Sequence, residues 1–273
     1  MPTIKYHDLT TLDEFAEVVE LEREIWGVGY GDVVPVPIFA VTVKRGGILA
    51  GAFDGNRMIA FVYSFPAMKD GTTTQWSHML GVLDAYRSAG VGVALKLLQR
   101  ERALAMGIDL IEWTYDPLQA FNAHLNFSRL GVVAHEYEEN IYGASTSVLH
   151  RGNPTDRFVA EWWIREAHVE RRIAGPKLVV RAHEVASAPN VNRVSGSQEC
   201  ADVDLTLDAR RIIVEIPVGF TEMLTSAPDL AMRWRLATRE IFTTYFARGY
   251  RAVDFSLDRA NGKGAYLLAA NAT

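Results

Sequence analysis

One stretch of this chain has residue types and spacing that could hold a phosphate. Leu80-Gly81-Val82-Leu83-Asp84-Ala85-Tyr86-Arg87-Ser88-Ala89-Gly90-Val91-Gly92-Val93-Ala94-Leu95 reads as a strand end, a short loop and the start of a long helix. The first turn of a helix leaves backbone N–H groups without internal partners, at the positive end of the helix dipole. A pyrophosphate placed there accepts several of those hydrogen bonds at once. Gly90 and Gly92 keep side chains out of the anion's path. Arg87 either adds a charge-assisted contact or braces the loop. The alternative is a glycine-rich turn that only permits tight helix–strand packing.

Groups that could move protons lie nearby in sequence. His78 sits on the strand that leads into the loop, and period-two alternation puts it on one face with Trp76, Leu80 and Val82. An imidazole pKa near 6.5 suits proton relay. The other reading of His78 is a partly buried ring satisfied by a backbone carbonyl. Tyr115 and Asp116, at the end of a later strand, are candidates for acid and orienter, or else strand-end packing before Pro117.

The elements that must position these residues follow from periodicity. Thr11 and Glu14 form a capping box ahead of a helix over 11–26. Phe15, Val18, Val19, Leu21, Glu22, Ile25 and Trp26 follow in a mostly apolar stripe at helical spacing. A short helix covers 37–44. Strands over 48–53 and 58–65 form a hairpin across Asp54-Gly55-Asn56-Arg57. A third strand runs over 74–82 and a helix over 90–106, ending at Gly107. A strand at 109–115, a helix at 118–130 ending at Gly131, and a strand at 132–142 complete the first half. This is an α/β (α+β) unit and not a doubly wound sheet.

The second half begins near Asn153-Pro154. It reads as a strand (157–164), a helix (165–174), a long polar loop (184–200), a strand (211–217), a helix (229–248) and two strands (251–257, 265–270). Residues 103–116 echo residues 244–258: a helix end, a glycine turn, and a strand closing on Asp. The C-terminal α/β domain is therefore read either as a degenerate half-repeat without the phosphate loop or as a generic helix–Gly–strand unit. Two domains are expected, 1–150 and 151–273.

Composition bounds the function. The chain has 273 residues, 49% hydrophobic, and a net charge of −5, which disfavours nonspecific nucleic-acid binding. Its single cysteine, Cys200, rules out an internal disulfide and a cysteine zinc cluster. The N-terminus lacks the apolar run of a secretory signal, and no stretch is long enough to span a bilayer. A cytoplasmic protein with no membrane partner and no metal is expected.

The stretch from Leu80 to Leu95, with Arg87-Ser88-Ala89-Gly90-Val91-Gly92 as its signature, resembles motif A of the GNAT N-acetyltransferases. Asn122 to Val132 resembles that family's next motif, an Asn-led helix ending in Leu-Gly-Phe. The resemblance covers about the first 145 residues of the sequence. It implies a GNAT-like mixed sheet flanked by helices, an acyl-CoA co-substrate (acetyl-CoA by default) and a small amine or amino acid as acceptor. It further implies that Leu80 and Val82 pair with pantetheine and that Gly81 sits at a β-bulge. The N–H groups of residues 87–92, with Val93 beyond them, would hold the pyrophosphate, and Asn122 and Phe127 would flank the thioester. Phe127 stands where many members carry a proton-donating tyrosine, so His78 and Tyr115 are the candidate catalytic residues. A catalytically reduced acyl-CoA-binding module is the competing expectation. The role of residues 151–273, including a homodimer contact, stays open.

Overall fold

A computed structural model describes residues 3–27, 29–87, 89–143, 152–175 and 187–270. The chain forms two compact units, one built from residues up to Trp113 and the other from Thr114 onward. This is a division by contacts. The boundary expected at 150 follows the order of elements in the sequence, and the two differ.

The first unit holds the expected mixed sheet flanked by helices. Strands β1 (Lys5–Asp8), β2 (Ile48–Asp54), β3 (Arg57–Lys69) and β4 (Thr72–Val82) pair antiparallel in that order. β5 (Leu110–Tyr115) joins β4 in parallel, and its last two residues belong to the second unit. Helix α1 (Leu12–Trp26) starts at the predicted capping box. Thr11 Oγ1 accepts the Glu14 N–H at 3.3 Å, and Glu14 Oε2 accepts the Thr11 N–H at 2.9 Å. Phe15, Val18 and Leu21 bury their stripe, each removing about 1.5–3 kcal/mol worth of apolar surface from water. Helix α2 (Val36–Lys44) packs beside α1. The β2–β3 turn is tighter than the sequence suggests. Asp54 pairs with Arg57, leaving only Gly55-Asn56 as the turn, with Gly55 at φ 60°. Helix α3 (Val91–Ala105) follows the glycine loop.

The two faces of this sheet carry different helices. A Cβ on Gly81 would meet Ile25 and Trp26 of α1, whereas one on Gly92 of α3 would meet Leu80 and Val82. On the α1 side, Tyr63 of β3 reaches Thr42 of α2 with its hydroxyl, 2.8 Å from Thr42 Oγ1.

The second unit has the strand order β7-β6-β11-β12-β10. These strands are β6 (Val133–Glu138), β7 (Arg157–Trp163), β10 (Arg211–Pro217), β11 (Tyr250–Asp258) and β12 (Lys263–Ala270). β6 meets β11 antiparallel at Ala134↔Ala252. About that pair the order is symmetric: each of β6 and β11 is flanked by the strand that follows it in the chain. Each follows a helix that ends on a left-handed glycine, Gly131 at φ 75° and Gly249 at φ 81°. Each also carries a register irregularity. Within this unit the counterpart of Gly249 is thus Gly131, where the sequence echo pairs it with Gly107.

Several expectations are refined. The helix at 118–130 is a single α turn, α4 (Ala120–Ala123), that widens into a π-helical stretch (His124–Leu130). The strand at 132–142 stops at Glu138. The polar loop contains a short hairpin, β8 (Arg193–Val194) with β9 (Cys200–Ala201), and its residues 184–186 lie outside the described residues. Helix α5 (Ala167–Ala174) follows β7 as predicted. Helix α6 (Phe220–Ser226), unpredicted, precedes the long α7 (Pro228–Ala247). The core is aromatic, with Phe127, Phe158, Phe242 and Tyr266 fully buried.

Candidate functional site

The site in the first unit is organised by one extra residue. β3 and β4 pair Val62↔Leu80 and Tyr63↔Met79, but Ser64 then pairs with Ser77. One step along β3 spans two along β4, so His78 is the inserted residue of a β-bulge. The bulge expected at Gly81 is at His78 instead. Gly81 pairs regularly with Phe61, and its lack of a side chain has another cause. A Cβ there would lie 2.8 Å from both Ile25 Cδ1 and Phe61 Cε1, so α1 presses onto the strand at that point.

The bulge also reverses which residues share a face. Side-chain alternation counts pairing positions, so an unpaired residue shifts its phase. Leu80 and Val82 face α3. Ser77 shares their face, where its Oγ accepts hydrogen bonds from Lys96 Nζ at 2.8 Å and Gln99 Nε2 at 3.1 Å. Trp76, paired with Phe65, falls on the opposite face with Met79 and Gly81. The His78 ring lies 6.0 Å from that of Tyr63 and 5.7 Å from that of Phe65, on the α1–α2 face. The predicted common face of Trp76, His78, Leu80 and Val82 is therefore split by the bulge. His78 is exposed, and desolvation by the rings packed beside it lowers its pKa below the ordinary imidazole value.

Beyond the bulge one edge of β4 is open. β4 pairs with β5 at Gln75↔Ile111 and Trp76↔Glu112, and no later β4 pair with β5 is found among the described residues. On the other edge, the Leu83 N–H donates to the Ile59 carbonyl at 3.0 Å, which fixes the alternation of the antiparallel ladder. Gly81 bonds toward β3 in that pattern. The N–H and C=O groups of Leu80 and Val82 point away from β3, to the open edge.

The loop after β4 is braced from within. Asp84–Tyr86 forms a 3₁₀ turn, and the Tyr86 hydroxyl donates to Asp54 Oδ2 at 2.7 Å. Arg87 pairs with Asp84 Oδ1 at 2.9 Å and reaches the Val82 carbonyl with Nε at 3.4 Å, which is the bracing role of the two considered for it. Ser88 lies outside the described residues. Ala89 and Gly90 are exposed. Gly90 caps α3 at φ 83° and contributes no capping side chain. A Cβ there would touch nothing within 4 Å. The first intrahelical bond runs from the Ala94 N–H to the Gly90 carbonyl at 3.0 Å. The N–H groups of Val91, Gly92 and Val93 thus lie at a helix start that no side chain caps.

Lys96 and Glu22, both buried ionisable groups of this unit, escaped the motif reading. Lys96 lies inside α3's packed face, 3.7 Å from the centre of the Trp113 ring, and desolvation holds its pKa well below the usual lysine value. Glu22 lies in the buried stripe of α1 with no exposed surface. Its Oε2 accepts the Val34 N–H at 2.9 Å, while Oε1 has no partner. Burial pushes this carboxyl's pKa up to about 7. The available signal was a glutamate at an apolar position of a helical stripe.

The remaining candidates belong to the second unit. Tyr115 is buried, with its hydroxyl 3.2 Å from that of Tyr266 and its ring against Phe127 and Phe158. Burial, together with Tyr266, holds this phenol well above its usual pKa. Asp116 binds Arg235 through two bonds of 2.8 and 2.7 Å. Burial alone would raise the Asp116 carboxyl, but the Arg235 guanidinium outweighs it and holds the pKa below the usual range. Asn122 is exposed on α4, and Phe127 is wholly enclosed in the aromatic core. Among the described residues no helix is long and apolar enough to cross a membrane, and no cluster of His, Cys, Asp and Glu could hold a metal ion.

No family model matches the chain, and no curated protein matches it. Solved structures of similar shape are acetyltransferases. An acetyltransferase of the GNAT family from Streptococcus pneumoniae is 14% identical, covers 58% of this chain and 98% of its own, and has a TM-score of 0.47. The ribosomal-protein-S18-alanine N-acetyltransferase of Escherichia coli is 15% identical over 60% of this chain and 96% of its own, with a TM-score of 0.47. Aminoglycoside 6′-acetyltransferase type Ii is 18% identical over 60% of this chain and 98% of its own, also at 0.47. These likenesses are distant, so the chemistry must be read from this chain's own residues.

Proposed function

We propose that the first unit binds an acyl-CoA and that the chain is an N-acyltransferase acting on a small amine or amino acid. The observation that carries this reading is the continuity of β4: a bulge, an open edge, and a glycine-started helix without a cap. The parts fit the co-substrate. The backbone groups of Leu80 and Val82 that point away from β3, of which the Val82 carbonyl also takes the long 3.4 Å contact from Arg87, suit the amides of pantetheine, and the N–H groups at the start of α3 suit a pyrophosphate. Gly90 and Gly92 leave room for both. Acyl-CoA supplies an activated carbonyl, with acetyl as the default acyl group. Direct transfer requires a neutral amine and a proton for the departing sulfur. His78, at the bulge, is assigned to proton relay. Tyr115 remains a packing residue in this scheme, because its hydroxyl is spent in the core. The chain contributes mainly by holding two reactants in register.

A second reading, an acyl-CoA-binding module without turnover, is favoured by Phe127. It replaces a hydroxyl with a ring that packs at 5.6 Å from Tyr266. Steady-state release of free CoA from acetyl-CoA and longer acyl-CoAs, with a panel of primary amines and amino acids, separates the two. Release that depends on one acceptor class is the expected result. Tight acyl-CoA binding with no release for any acceptor would leave the binding module.

A further inference from the structure

Among the described residues of the first unit, Glu22 is the ionisable group with a buried oxygen that the fold leaves without a partner. A fully buried carboxylate oxygen without a hydrogen bond costs about 1–3 kcal/mol. Such a group calls for a partner that the protein itself does not supply. Neither protonation state is satisfied internally. As a carboxylate Oε1 lacks a donor, and as an acid it lacks an acceptor. The adjacent Arg23 does not serve, since its guanidinium pairs with Glu20.

The surroundings of Glu22 suit a cationic amine. It projects from α1, the helix that covers the bulged face of the sheet. Tyr63 on that face is close enough for the Glu22 charge to raise its pKa further, after desolvation. The Tyr63 hydroxyl lies 2.8 Å from Thr42 Oγ1, and either can be the donor. Trp26 packs edge-on to Phe61 at 5.9 Å and tilted to Tyr30 at 5.6 Å. Aromatic faces beside a carboxylate are an environment that stabilises ammonium groups. His78 joins the same face through its contacts with Tyr63 and Phe65.

We propose that Glu22 is the acceptor-side carboxylate of this site, whose free Oε1 receives the ammonium group of the incoming amine and then its proton. This assignment rests on the transferase reading above. In the step, one N–H bond of the ammonium breaks and its proton goes to Oε1. The freed nitrogen lone pair forms the N–C bond at the thioester carbonyl, the C–S bond breaks, and a second N–H proton passes to the leaving sulfur. Oε1 has no open surface, so the assignment requires the amine to enter beside Val34, whose N–H is held by Oε2. A carboxyl that titrates near neutrality is matched to this exchange. The charged or titratable groups around it are Tyr63, Arg23 and, farther along the face, His78.

The test is the pH profile of kcat/KM for the amine, in wild type and in Glu22→Gln, with the acetyl-CoA Kd measured alongside. Glutamine keeps the shape and the Val34 bond but cannot take a proton. The expected wild-type profile has an acid limb near pH 7, where the Glu22 pKa lies at about 7. His78→Gln should leave that limb in place, because the pKa of His78 lies lower. Glu22→Gln should lose the limb and about 100-fold in kcat/KM, with an unchanged acetyl-CoA Kd. Wild-type turnover without that limb, or a variant with the wild-type rate and profile, overturns the Glu22 assignment and leaves the transferase reading standing. A wild-type chain that binds acetyl-CoA but acylates no amine overturns the transferase reading and the assignment with it. Should the variant not fold, the wild-type limb decides alone.

Discussion

The two units differ in how completely they satisfy buried polar groups. In the second, charges are matched. Arg235 grips Asp116 and also Asn153, while Asp156 takes Arg239, the Tyr137 hydroxyl and the Asn140 N–H. Among the described residues of the first, Glu22 Oε1, Ser64 Oγ and Gln75 Oε1 are enclosed without partners, the edge of β4 is open beyond Trp76, and the start of α3 has no side-chain cap. Of the second unit's described residues only His124 Nδ1 shares that condition. A network that satisfies itself holds a fold together. Groups left unsatisfied by an otherwise well-packed core are where a ligand's own hydrogen bonds can be accommodated.

The contrast can be broken most forcefully at Arg235. Its Ala variant leaves Asp116 buried and unpaired and should cost about 3–5 kcal/mol at pH 7 in urea melts. The depressed Asp116 pKa gives stability that is present above the unfolded value of about 3.9 and is lost as pH falls through the lower folded value. The variant should reverse that slope, because an unpaired buried Asp116 carries a raised pKa and loses stability as pH rises through it. A wild-type-like melt would mean that the second unit is not held by its ion pairs. In the first unit, Gly90→Glu puts a side chain on a left-handed residue and a negative charge at the helix start. Acetyl-CoA affinity by calorimetry should fall on the order of 100-fold. Unchanged affinity would remove the helix start from the site. The smallest effect expected is that of His78→Ala, about 10-fold in turnover with little change in acetyl-CoA Kd. Because desolvation lowers the His78 pKa, the wild-type ring is neutral across pH 7–9, and the variant's deficit should be flat there. A normal rate over that range would limit His78 to shaping the bulge.

Much of the first unit was legible because it is local. The Thr11–Glu14 box, the Gly55 turn, the Gly107 and Gly131 helix ends and the glycine-started α3 are each decided within a few residues. The bulge was not legible. It exists only as a mismatch of count between β3 and β4, and period two applied to β4 alone put His78 on the wrong face. β1 was missed because Lys5–Asp8 is exposed throughout and is a strand only by pairing with β2. The widening of the helix at His124–Leu130 likewise depends on backbone bonding that side-chain periodicity does not record. Glu22 was visible as a charge in an apolar stripe, but its meaning depends on Val34 N–H filling one oxygen and nothing filling the other.

The single inserted residue at position 78 makes β4 behave like two strands spliced out of step. Tolerance to substitution along it should alternate in one phase over 72–77 and in the opposite phase over 79–82. Trp76 and Met79 would then vary together and Ser77 with Leu80, although sequence numbering puts each pair at odds. Such a splice lets the two halves of the strand drift separately, since neither fixes the other's parity. A related sequence aligned without a gap here, but lacking the extra residue, would have its two faces exchanged along half the strand.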